Sequence, residues 1–197
     1  MKKLLCLLTI VMSMLCFLPT SNASPFTQID RKALSYHNKI PLTLSYDSAD
    51  GKLTLQLTSS NPADRLKASL NGRVVFDYAF HNTDNGWWIR VFRDQASNKL
   101  FIALTSYNRC YVLGYNNALG KIVCYVDSKN YYSGFSYTYP RVYAYKDGSL
   151  ILALCDGYDD VPVRNIHQYQ LDWNSSTKNF SYSDLGTVPT LAYDEIQ

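Results

Sequence analysis

Three stretches of the chain place a run of apolar residues behind an Asp-led polar turn. Residues 41–58 read PLTLSYDSADGKLTLQLT, residues 88–105 read WIRVFRDQASNKLFIALT, and residues 140–155 read PRVYAYKDGSLILALC. Each predicts a strand, a turn and a second strand on a Leu-x-x-x-Leu frame. The frames begin at Leu53, Leu100 and Leu150, at intervals of 47 and 50 residues. Asp47, Asp94 and Asp147 lead the turns, a position where an Asp side chain accepts the backbone N–H two residues on. A second hairpin follows each first one. Residues 65–80 turn at Asn71-Gly72, the strongest short hairpin signal. Residues 109–126 turn at Asn116 to Gly120, and residues 166–182 turn at Asn174 to Lys178. The pattern therefore predicts three units of four strands, at about residues 40–80, 88–127 and 140–185, and such a period is the signature of a repeat architecture.

The kind of apolar run differs between the units. Leu53, Leu55 and Leu57 alternate with Thr54, Gln56 and Thr58, which predicts a strand with one wet face. Leu100 to Leu104 and Leu150 to Leu154 are apolar throughout, which predicts strands covered on both faces. After residue 23 no stretch carries a convincing 3.6-residue period. The acidic residues agree, with Asp occurring 15 times and Glu once, at Glu195. Glu favours helix interiors, whereas Asp favours turns and caps.

Pro140 before a strand, Asp147-Gly148 at a turn, and Tyr169-Gln170-Leu171-Asp172 before a polar turn resemble β-propeller blades. The resemblance spans roughly residues 40–190. It implies an all-β chain of three four-stranded, blade-like repeats in a small or incomplete ring, with a β-trefoil or β-sandwich as the alternative. Closed propellers use about four to eight blades. Residues 188–197 and 26–36 offer two further strands, a thin fourth blade that would close the ring and cover the third unit. Two open half-rings pairing into a larger ring is the other way to hide an uncovered face.

The first 23 residues read as a cleaved signal peptide. Lys2 and Lys3 precede an apolar core from Leu4 to Leu18, and Ser21-Asn22-Ala23 is a small-x-small cleavage site. The expectation is an export-competent chain, secreted or held in the periplasm or cell envelope, with residues 24–197 as one β-repeat domain. Loss of Lys2 and Lys3 takes the net charge from +3 to +1. A near-neutral chain carries no electrostatic argument for nucleic acid, and no later segment is long and apolar enough to span a bilayer.

Candidate chemistry is sparse. Cys110, Cys124 and Cys155 remain after the leader, and an odd count leaves one thiol over. Cys110 and Cys124 fall on strands expected to pair, so they are the candidate disulfide; three buried thiols are the alternative. His37, His81 and His167 lie in no metal-ligand spacing, and no nucleophile elbow or phosphate loop occurs. Asp156, Asp159 and Asp160 form the densest acidic run and are the candidate Ca2+ ligands, with a solvated loop as the plainer reading. No other cofactor is expected.

Aromatic residues are the most suggestive material. Ten of the 17 Tyr fall between Tyr107 and Tyr145. Adjacent residues entering a strand point to opposite faces, so one of Trp87 and Trp88 is expected in the core and the other outside. Exposed rigid rings bind sugars and proteins at little entropic cost. The expected function is a non-catalytic binding module for a glycan or protein, working through loops at one end of the blades. Its expected ligand-binding residues are Trp87, Trp88, Tyr131, Tyr132, Tyr137 and Tyr158. The alternatives are an envelope enzyme or enzyme-inhibitor module using the same pocket, and a structural subunit that self-assembles into a homo-oligomer.

Overall fold

The structure is a computed structural model that describes residues 25–34, 42–60, 63–81, 87–106, 109–131, 140–155 and 165–189. These residues form strands β1 (Phe26–Leu34), β2 (Leu42–Ser48), β3 (Gly51–Ser60), β4 (Ala63–Leu70), β5 (Arg73–His81), β6 (Trp87–Asp94), β7 (Leu100–Thr105), β8 (Cys110–Asn116), β9 (Lys121–Asp127), β10 (Arg141–Ala144), β11 (Leu150–Cys155), β12 (Asn165–Asn174) and β13 (Asn179–Pro189). A single 3-10 turn, Ser128–Asn130, follows β9.

The turns form for local reasons. Asn71 and Gly72 both adopt positive φ, as a two-residue hairpin of this hand requires. The Asn174 side chain accepts the N–H groups of Ser176 and Thr177 at 2.9 and 3.0 Å, and Asn116 accepts that of Leu119 at 3.1 Å. Asp94 accepts the N–H of Ala96, and Asp147 that of Ser149. The first unit departs from this pattern. Ser48, not Asp47, accepts the N–H two residues on, from Asp50.

The strands make three antiparallel sheets: β2-β3-β4-β5, β1-β6-β7-β8-β9 and β10-β11-β12-β13. The sheets stack face to face in that order. Leu53, Leu55, Leu57 and Leu66 of the first sheet share a core with Ile89, Leu100, Ile102 and Leu104 of the second. Phe92, Phe101 and Val112 of the second share another core with Leu150, Leu152, Leu171 and Trp173 of the third. Each such side chain contributes about 1.5–3 kcal/mol on burial. β7 and β11 are buried along their whole lengths, because each is the middle of a sheet with both faces hidden. β3 buries only Leu53, Leu55 and Leu57, while Gln56 stays exposed.

The stack is open, not a closed ring. Thr43, Ser45, Gln56 and Arg65 leave the outer face of the first sheet polar and wet, as a terminal repeat must be. The anticipated fourth blade does not form from residues 26–34, and residues 35–36 and 190–197 lie outside the described residues. β1 instead pairs with β6 as the fifth strand of the second sheet, and residues 188–189 end β13. The start of β1 is clamped by backbone bonds: Phe26 N–H donates to Gly148 O at 2.7 Å, and Gln95 N–H donates to Pro25 O at 2.9 Å. Gly148 lies at φ +85°, and a Cβ there would fall 2.6 Å from that of Pro25. The close approach therefore requires glycine.

Within the described sheets, β5, β9 and β13 are the edge strands on one side, and each carries an extra residue against its neighbour: Val75, Tyr125 and Leu185. A bulge twists an edge away from further pairing.

Candidate functional site

The antiparallel order puts all six short turns at one end of the stack. The strand ends that adjoin residues 61–62, 82–86, 107–108, 132–139 and 156–164 lie at the other, far end. Two groups of packed aromatic rings occur, one at each junction between sheets.

The cleft between the second and third sheets gathers residues just after β9 with residues of β12 and β13. Tyr131 meets Tyr169 edge-on at 5.2 Å and Tyr182 at 5.0 Å, and Tyr169 meets Tyr182 at 5.9 Å. Tyr182 is 60% exposed. Burial pushes the Tyr131 hydroxyl up to about 12. His167 packs against Tyr169 at 4.9 Å. One of its ring nitrogens lies 2.8 Å from Asp184 Oδ1 and the other 3.0 Å from Thr187 Oγ1. Asp184 also accepts the N–H of Gly186 at 2.8 Å, which fixes the carboxylate beside the bulge. Strand periodicity explains the grouping: residues 167 and 169 share a face of β12, and the register sets them opposite Thr187 and Asp184.

The cleft between the first and second sheets gathers Tyr78 and Phe80 of β5, Trp87 of β6 and Tyr111 of β8. Phe80 lies 4.7 Å from Tyr78, 4.9 Å from Trp87 and 6.0 Å from Tyr111. Trp87 and Tyr111 stack at 6.3 Å. The Arg109 guanidinium sits 4.7 Å over Tyr111 and pairs with both Asp127 oxygens, at 3.1 and 2.5 Å. Burial works against ionised Asp127, but that Arg109 bond and the Lys129 N–H outweigh it and hold the carboxyl below its ordinary value. Two buried polar atoms have no hydrogen-bond partner, Trp87 Nε1 and the Oδ1 of Asp64, which stands opposite Phe80. Leaving such a group unsatisfied costs about 1–3 kcal/mol.

The two adjacent tryptophans part company. Trp87 is 5% exposed and faces the first sheet. Trp88 is 40% exposed on the strand beside β1, with the Arg31 guanidinium 5.0 Å over its ring. Trp88 thus faces away from Trp87, and its strand stands three strands from β9, after which Tyr131 follows. Tyr132, Tyr137, Tyr158, Asp156, Asp159 and Asp160 lie outside the described residues. Among the described residues no group of three metal-ligating side chains occurs.

Cys110 and Cys124 are both free thiols. Their strands do pair, but the register opposes Cys124 to Leu113, and the Tyr125 bulge lies between it and Cys110. Cys110 is buried against Thr105 at 3.2 Å, and burial pushes its thiol up to about 12. Cys155 is a third buried cysteine, in no disulfide.

Sequence reasoning passed over His167, Tyr169, Tyr182, Asp184 and Thr187. An i, i+2 spacing of aromatic and polar residues on two strands joined by a short turn was the available signal. No known protein family, curated protein or solved structure matches this chain.

Proposed function

We propose that the protein is an exported, non-catalytic binding module that takes a glycan or protein ligand at the far end of its sheets. The observation that supports this most is the exposed ring of Tyr182, held in place by Tyr131 and Tyr169 beside the Asp184 carboxylate. Rigid rings next to a fixed carboxylate bury much area at small entropic cost and add one directional hydrogen bond. The test is binding on a glycan array and in pull-down from envelope extract. Tyr131→Ala and Tyr182→Ala should each lower retention at least tenfold while thermal melting stays cooperative. Full retention by both variants overturns the reading.

A second reading, catalysis, has one observation in its favour. Thr187, His167 and Asp184 form a hydrogen-bonded row of hydroxyl, imidazole and carboxylate, the arrangement that activates a nucleophile in acyl transfer. Hydrolysis of a chromogenic acetate ester that disappears in both Thr187→Val and His167→Gln would favour this reading over the first.

A further inference from the structure

We infer that the open edge of β2 is a self-association site, where a second copy of this chain adds its own β2 antiparallel and joins the two first sheets into one. The inference goes beyond the binding reading above and does not rest on it.

Among the described sheets, every edge strand but β2 is blunted. β5, β9 and β13 carry extra residues, β1 carries one at Ile29, and β10 is only 4 residues long. β2 runs 7 residues in unbroken register, with no proline, lysine or arginine. A regular edge of that kind is a template for another strand.

The register fixes which backbone groups of β2 face outward. Lys52 directs its own groups to Asn71: its C=O accepts the Asn71 N–H, and its N–H donates to Asn71 Oδ1, both at 2.9 Å. Lys52 stands opposite Asp47, so Asp47 exchanges no ladder bonds with β3 and turns its N–H and C=O to the open edge. The Arg93 guanidinium donates to that Asp47 carbonyl at 3.0 Å. By alternation, Ser45 and Thr43 also turn their backbone groups outward, and no described strand pairs with them there.

The edge is complementary to itself. Arg93 already occupies Asp47, which confines pairing to Thr43 and Ser45. In the antiparallel register that uses both, Thr43 of each copy stands opposite Ser45 of the other, Leu44 opposite Leu44, and Leu42 opposite Tyr46. The joint makes about four backbone hydrogen bonds, and no like charges meet. The pairs read the same from either copy, as a two-fold contact requires. Leu42, Leu44 and Tyr46 are half-buried against the first core, so the added strand extends a dry face that already exists. Thr43 and Ser45 lie on the wet face, where hydroxyls pair across strands, as Ser45 and Thr54 do at 3.1 Å.

The experiment is a concentration series on the full chain freed of its leader, from micromolar to about 1 mM, the range in which small interfaces associate. Sedimentation equilibrium should pass from the mass of one chain to that of two. Residue-resolved amide exchange should show Thr43 and Ser45 protected in concentrated solution and open on dilution. Ser45→Pro removes an outward N–H that β3 does not use, so it should fold and weaken the dimer at least tenfold. Thr43→Lys places a charge at the joint and should weaken it as much without altering the backbone. A chain that stays monomeric over the whole range overturns the inference. A dimer that both variants leave unchanged within twofold also overturns it, since the contact then lies elsewhere. Protection of Thr43 and Ser45 that ignores dilution does so too, because the chain then covers its own edge. The exchange series on the native chain decides the matter even if a variant does not fold.

Discussion

The two junctions between sheets are built from different materials. The first is aliphatic along its middle, where Leu53, Leu55, Leu57 and Leu66 meet Ile89, Ile102 and Leu104, with Phe80, Trp87 and Tyr111 grouped at one side. At its turn end it buries an ion pair, with Lys99 Nζ donating to Asp50 at 3.0 Å and to Asn117 at 3.3 Å. The second junction is aromatic. Phe101 meets Phe26, Tyr125, Trp173 and Phe180 at centroid distances between 4.8 and 6.0 Å. Gly114 makes room for this cluster, since a Cβ there would fall 2.9 Å from Phe101. The contrast teaches how similar repeats become distinct neighbours. The first junction has one strand set with a wet reverse side, so its alternation selects leucine. The second lies between two sheets that are hidden on both faces, and large rings fill it.

The contrast can be broken from either side. Phe101→Ala should have the largest effect, costing about 3–5 kcal/mol because four rings lose one shared partner, as measured by urea unfolding. A loss under about 1 kcal/mol would mean that the aromatic junction does not hold the sheets together. Lys99→Met or Asp50→Leu alone should follow, at about 3–5 kcal/mol, because each strands a buried charge. Both together should cost far less than the sum, and a double-mutant cycle by the same method reads the coupling. Strict additivity would show that the two groups do not interact.

Alkaline pH should loosen the second sheet and its aromatic side next. Cys110 and Tyr131 are both raised to about 12 by burial, from ordinary values of 9.0 and 10.0. A raised acid is stabilising in its protonated form, so its contribution is full below the ordinary value and is lost as pH climbs toward 12. Near-ultraviolet dichroism should fall across that window, and Tyr131→Phe should retain more signal at pH 11 than the native chain. The smallest effect is at acid pH. Asp127 is held below its ordinary 3.8, chiefly against its own burial, by Arg109. Its contribution is present above that value and is lost as pH falls through the lower folded one. Asp127→Asn should cost less than about 1 kcal/mol at pH 7, since the pair is partly exposed, and thermal melting at pH 7 and pH 3 checks the difference.

Much of this architecture is legible along the chain. The six turns are read from Asn, Gly and Asp at fixed offsets because turn geometry is a local matter of φ and short side-chain hydrogen bonds. The two-faced burial of β7 and β11 is read from unbroken apolar runs, and the single wet face of β3 from its alternation, because a strand's period of two records which sides meet water. Trp87 inside and Trp88 outside follow from the same period. What the chain could not disclose is which strand lies beside which. β1 belongs to the second sheet and not to a fourth blade, because Pro25 and Gly148 fit together across 123 residues of sequence. The free state of Cys110 and Cys124 turns on register: Cys124 stands opposite Leu113, three positions along β8 from Cys110. The meeting of Tyr131 with Tyr169 and Tyr182, and of Phe80 with Trp87, arises only when separate sheets are stacked. Short-range patterns decide which face of a strand is dry. Only packing decides what stands opposite it, since that depends on contacts between residues no local pattern connects.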